Sequence, residues 1–291
     1  MYTAPIAILL AIVGSIFGSF AGAQVWRLRS RQLVEDAHDG LEVDAAELGR
    51  LEALSADTVR SDYSRCLNCG HRLGWLDLVP IFSWLSTRGR CRYCRTRIGI
   101  FEPLMEIGTA IAFVLSFVLW PWPLVGAGDW ILLGVWLASL VVLAIMAGYD
   151  ARWKLLPDIA NYVYLILGIV FIAVRFFVNH DVNLVSALGA VAILAGVYAT
   201  LYVVSRGNWI GLGDVKLGVG LALFLGEWRL AFLALFLANL IGCIIVLPGL
   251  LRKQLGGGSQ IAFGPLLMAG MMISFVAGTA IIAWFMELRF F

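Results

Sequence analysis

The chain has 291 residues, 61% of them hydrophobic and 14% charged, with a formal net charge of +2. Soluble domains carry about 25% charged residues. The composition therefore excludes a soluble globular enzyme, a disordered tail and a fibrous repeat, and it predicts an all-α polytopic membrane protein.

A helix needs around 20 apolar residues to cross a hydrocarbon layer about 30 Å thick. Hydropathy predicts about eight transmembrane helices, near 4–26, 104–125, 130–149, 159–178, 183–205, 215–227, 230–250 and 264–286. The 215–227 run is short and glycine-rich, so a partly embedded helix is an open alternative there. The first run has no basic residue before it and no small-residue cleavage site after it. It reads as a retained helix rather than a removed signal. The chain divides into a first transmembrane helix (1–26), a polar insert (27–102) and a membrane body (103–291).

The insert holds 12 of the 21 Lys and Arg residues and 11 of the 19 Asp and Glu residues. A core of that size is small and calls for a staple. Leu33, Leu41, Leu48, Leu51 and Leu54 recur among acids within 31–62. That pattern predicts one or two amphipathic helices, packed on the cysteine module or on the bilayer surface. With eight spans the insert shares a side with Arg152, Lys154, Arg206, Arg252 and Lys253, with Lys216 at the boundary. Arg175, Arg229 and Arg289 face the other side. The excess of basic residues places the insert in the cytoplasm and both termini outside.

Cys66 and Cys69, then Cys91 and Cys94, form two CxxC pairs, CLNC and CRYC. Zn²⁺ takes four tetrahedral ligands, and each CxxC knuckle supplies two sulfurs, so the spacing predicts a closed structural zinc site. Two disulfides or four ordinary thiols are the alternatives, and a reducing cytoplasm argues against disulfides. His71 reads as a turn residue, and Cys243, alone in an apolar span, as a small core residue.

Ionisable groups in or beside membrane spans are costly, so each is a candidate site. Asp150 closes the third span in GYDARWKLLPD, and Asp214 opens the sixth in GLGDVKL. Both fall at the same boundary. Paired carboxylates sharing one proton can activate water and protonate a leaving amine. Capping of two helix ends is the alternative. Gly211 and Gly213 permit a tight turn and a close substrate approach before Asp214. Asp158, after Pro157, is placed as an N-cap. Lys216 is either a helix-surface charge or a group that tunes the aspartates. Glu106 either binds a substrate amine or snorkels to the interface. Asp129, Asp181, Glu227 and Glu287 read as solvated charges.

These blocks together resemble the type IV prepilin peptidase family of membrane GxGD-type aspartyl proteases, over nearly the whole chain. GSF at Gly18–Phe20 with Arg27 resembles the family's first-span signature, although Ala21 and Gly22 stand where the family has Leu-Asn. Cys66–Cys94 is similar to its zinc loop. FEPLMEI places Glu106 on the family's acid, and GYDARWKLLPD and GLGDVKL place its catalytic aspartates at Asp150 and Asp214. AFGPLL lacks the usual Pro before Phe263 but keeps Phe263, Gly264 and Pro265.

The resemblance implies a bacterial inner-membrane enzyme. It would cut the leader after Gly from type IV prepilins or type II secretion pseudopilins, with Asp150 and Asp214 activating water. It also implies N-methylation of the new terminus with S-adenosylmethionine. The basic leader would face lipid headgroups or acids such as Asp62 and Asp77. The bilayer and the pilin precursors are the expected partners, with no nucleic acid. The sequence leaves the oligomeric state open. A zinc-bearing membrane adaptor and a proton-relay transporter are the competing classes. The first leaves the aspartates unexplained, and the second expects acids near the midplane.

Overall fold

The computed structural model describes residues 3–54, 63–252 and 262–287. Among these residues the structure is helical, with two isolated bridge pairs and no strand. The chain divides into two compact units, Met1–Val118 and Leu119–Phe291.

Seven described helices are long and apolar enough to span a bilayer, and they coincide with seven of the expected runs. The remaining run, 215–227, forms α9 (Leu212–Leu225), only 14 residues and so about 21 Å long. It is lined with buried residues and runs beside α6 (Asp158–Val174). Its start meets the start of α6 through Lys216 and Asp158, and its end meets the far end through Leu225 and Arg175. The two helices therefore run in the same sense.

In the first unit, α1 (Thr3–His38) continues well past the apolar run. Its polar part contains no Gly or Pro, and the helix gives way only at Asp39 and Gly40, where Gly40 has φ +75. α1 packs along α4 (Phe101–Val118), the helix after the short α3 (Phe82–Ser86), through close approaches at Gly14 and Gly18. A Cβ on Gly18 would lie 2.5 Å from the Met105 carbonyl oxygen, so only glycine permits the contact. The polar end of α1 forms a small core of its own. Leu33, Leu51 and Leu54 pack with Trp26, Val43, Leu48 and Leu67, and so bridge α1, α2 (Ala45–Leu51) and the cysteine module. Asp44 caps α2 by accepting from the Ala46 and Glu47 amides, and Arg29 pairs with Glu47 at 2.6 Å. Of the expected amphipathic segment 31–62, residues 55–62 lie outside the described residues.

The second unit contains α5 (Ala127–Trp153), α6, α7 (Leu184–Val191), α8 (Val197–Ser205), α9, α10 (Trp228–Leu251) and α11 (Gly264–Glu287). Its centre is aromatic. Trp136 stacks on Phe275 at 3.7 Å, with Phe171, Phe224 and Tyr164 packed around them. Such contacts add to the area these rings bury. Arg175 is buried, pairs with Asp181 at 3.1 Å and donates to the Leu225 carbonyl. Asp181 is therefore not simply solvated. Asp129 likewise accepts from the Val125 and Gly126 amides and from Asn179, which caps α5. Cys243 is exposed on α10 rather than in the core.

Candidate active site and metal centre

The four cysteines converge as the spacing predicts. Their Sγ atoms all lie within 4.8 Å of one another, and Cys66 and Cys94 are 3.9 Å apart. Four sulfurs around one zinc at about 2.3 Å would stand roughly 3.8 Å apart, so the donor set fits. The two knuckles repeat one geometry. The Gly70 amide donates back to the Cys66 carbonyl, and the Arg95 amide to that of Cys91. Gly70 and Arg95 both take left-handed backbone, with φ +68 and +60.

Asn68 Nδ2 points at Cys94 Sγ and donates to Thr96 Oγ1 at 3.0 Å. The Thr96 side chain and amide hold the Cys94 thiol down to about 6, whereas burial pushes Cys91 up. His71 is a turn residue as expected, its carbonyl accepting from Cys66 and its ring lying 3.6 Å from that of Tyr93.

Asp77 does not offer the free acid expected for a basic leader. It accepts from Arg92 at 2.9 Å, from the Tyr93 hydroxyl at 2.9 Å and from the Gly74 amide at 3.1 Å. Burial opposes its charge, but these donors outweigh burial and hold its carboxyl below the usual range. Asp62 lies outside the described residues.

Glu106 is buried in α4, and its carboxylate accepts from the Ile81 amide at 2.6 Å. Ser19 of the GSF block is a further partner of the same carboxylate. Glu106 therefore neither snorkels nor stands free for a substrate amine. It ties the module to the membrane helices of its own unit.

Asp150 lies one turn before the end of α5 and is 5% exposed. Its Oδ2 accepts the Gly264 amide at 3.0 Å. Gly264 begins α11 and Pro265 follows it, so proline offers no competing N–H and the first-turn amide of Gly264 serves the carboxylate. Asp214 sits in the first turn of α9, with Gly211 as N-cap. Its charge acts on Asp150 and also on Tyr198 of α8. Leu156 packs against both Gly213 and Gly264, so one side chain braces the two segments that carry the site.

Tyr198 is buried with its ring 5.5 Å from that of Phe263. Its hydroxyl lies beside Asn239 but makes no hydrogen bond of ordinary geometry.

Lys216 takes another direction. Its Nζ pairs with Asp158 at 2.6 Å and lies over the Tyr162 ring. Asp158 is the first residue of α6 and Pro157 is its N-cap, so Asp158 serves the lysine rather than capping the helix. The sequence assigned no role to Gly264 or Tyr198. A Gly-Pro pair opening an apolar run was the available signal for the first. One tyrosine among the chain's eight carries no signal for the second.

The described residues form a multi-pass helical body in which Asp150 is buried against the start of α11 and feels the charge of Asp214. Residues 12–120 match the family described as Bacterial Peptidase A24 N-terminal domain, and residues 137–247 match the Type IV leader peptidase family. The prepilin leader peptidase/N-methyltransferase of Pseudomonas putida is 30% identical over 96% of this chain and 93% of its own. That of Dichelobacter nodosus is 31% identical over 75% and 72%. The type 4 prepilin-like proteins leader peptide-processing enzyme of Escherichia coli O78:H11 is 26% identical over 92% and 93%. No solved structure matches the chain. The chain belongs to the type IV leader peptidase family.

Proposed function

We propose that this protein removes the leader after Gly from type IV prepilins or type II secretion pseudopilins at the cytoplasmic face of a bacterial inner membrane. It then N-methylates the new terminus. The observation that carries the cleavage reading is the buried Asp150, oriented by Gly264 and coupled to the charge of Asp214.

In this mechanism the two carboxylates hold the attacking water. The ionised aspartate takes its proton as the oxygen attacks the glycyl carbonyl. The protonated aspartate donates to the carbonyl oxygen, and the C–N bond then breaks with proton transfer to the leaving nitrogen. The products are a leader carboxylate and a free α-amine. With Oδ2 of Asp150 engaged by Gly264, Oδ1 is the oxygen left for the water. Gly211 adds no side chain beside Asp214, Gly213 makes room for Leu156, and Lys216 and Glu106 support the fold around the site.

The relatives' names imply a methyl donor, S-adenosylmethionine, and no described side chain is assigned to it. Zinc would be held by Cys66, Cys69, Cys91 and Cys94 as a cross-link of the 27–102 insert, supplying no chemistry to cleavage. The excess of basic residues in the loops supports a cytoplasmic insert with both termini outside, and 103–291 would be the peptidase body. The adaptor reading accounts for the cysteines and leaves the Asp150 geometry without a purpose.

The test is leader cleavage in membranes by wild type, Asp150→Asn and Asp214→Asn. Each substitution should lower the rate by more than about 10³-fold with the protein still folded. A wild-type rate in either variant would overturn the mechanism. Mass spectrometry of the product reads methylation in the same sample.

A further inference from the structure

Cleavage makes no use of one segment of the cysteine module, Trp75–Leu85. Trp75 is 76% exposed, Phe82 72% and Leu85 57%, and Leu76 and Leu78 are exposed beside them. So many large apolar side chains exposed within eleven residues mark a contact surface. Three observations bear on what covers it.

The first is its attachment. The Ile81 amide is held by Glu106, which lies five residues, or about 7 Å, along the membrane helix α4. Ile81 has φ 63, a conformation that a β-branched residue avoids, so a specific contact fixes the turn at that level. The second is continuity. Leu104, Ile107, Ile111 and Leu115 of α4 are also exposed, as a lipid-facing stripe should be. The third is charge. Residues 63–100 contain seven arginines and one acid, Asp77, and five of those arginines fall within Arg88–Arg97, directly after the apolar stretch. Aromatic and aliphatic side chains followed at once by dense arginine match a segment lying at the boundary between acyl chains and anionic headgroups.

We propose that Trp75–Leu85 is a bilayer anchor. It inserts Trp75, Phe82 and Leu85 among the acyl chains of an anionic leaflet, while Arg88, Arg90, Arg95 and Arg97 meet its phosphates and Arg92 stays with Asp77. The module is then a membrane-bound platform held at two points, Glu106 and the lipid. This inference does not depend on the cleavage mechanism.

The test uses the full chain in nanodiscs of phosphatidylcholine and phosphatidylglycerol, with the photoreactive residue p-benzoylphenylalanine at position 75 or 82. The same residue at position 115 is the lipid-facing control, and at position 33 the buried control. Irradiation and mass spectrometry should give phospholipid adducts at 75 and 82, as at 115. Adducts formed only with the protein's own chain, or only with an added prepilin peptide, would overturn the proposal.

A gentler variant provides a second measurement. The fluorescence lost in Trp75→Phe isolates the Trp75 signal. Brominated phosphatidylglycerol should quench that signal more strongly than brominated phosphatidylcholine at equal mole fraction. Absence of quenching would exclude insertion, and equal quenching would exclude the anionic preference.

Discussion

The Gly264 amide donates to Asp150 Oδ2 at 3.0 Å, and a Cβ on Gly264 would stand 2.8 Å from that same oxygen. The pair leaves no room for a side chain at position 264. Gly264→Ala must move the carboxylate or the start of α11. Misplacement of a reacting group by about 1 Å can cost roughly 100-fold in rate. Gly264→Ala should therefore lose about that factor in leader cleavage while remaining folded in detergent. A variant cleaving at the wild-type rate would show that the contact does not position Asp150.

Tyr198 carries a buried hydroxyl without an ordinary hydrogen bond, within reach of the Asp214 charge. A buried polar group left unpaired costs about 1–3 kcal/mol. Tyr198→Phe should accordingly leave stability unchanged or raise it. If the hydroxyl donates to the developing oxyanion, kcat should fall about 10²-fold or more with KM unchanged. An unchanged kcat would assign Tyr198 to packing alone.

The Lys216–Asp158 pair is partly exposed, at 28% and 60% for the two side chains. Such pairs contribute at most about 1 kcal/mol. Lys216→Met and Asp158→Asn should each cost no more than that in thermal unfolding, and the double variant should cost less than the two single changes summed. Cleavage should stay within about threefold of wild type. A loss on the scale of Asp214→Asn would mean that Lys216 acts on the aspartates after all.

Zinc binds thiolates, so uptake by metal-free protein releases protons. The Cys94 thiol, held down to about 6, is already largely ionised at neutral pH, whereas burial keeps Cys91 protonated. Uptake at pH 7 should thus release fewer than four protons per zinc. The number should rise as pH falls through about 6 and Cys94 gains its proton. Calorimetry in buffers of different ionisation enthalpy measures it. Four protons at pH 7 would show that Cys94 is not ionised in the apo module.

The short helix α9 shows where hydropathy stops being informative. A span surrounded by protein does not need the length of one facing lipid, because neighbouring helices rather than acyl chains cover its ends. Its 14 residues, closed by Arg175 at one end and joined to Asp158 at the other, are one such case. The polar part of α1 makes the opposite point. The apolar run ends near residue 26, but the helix runs on to His38 because nothing breaks it.

The sequence by itself determined the membrane class, seven of the spans and the cysteine quartet, and it singled out the two aspartates as candidates. Each rests on local information: runs of apolar residues matched to bilayer thickness, or ligands three positions apart on one knuckle. Tertiary structure alone decided which backbone amide meets Asp150, 114 positions away at Gly264, and that Glu106 holds Ile81. It also decided that Lys216 pairs with Asp158 and that Asp77 is already taken by Arg92 and Tyr93. A charged group in a low-dielectric interior pairs with whatever donor or acceptor helix packing brings within about 3 Å. That packing depends on contacts such as Gly18 against Met105 and Gly264 against Asp150, whose partners lie far along the chain.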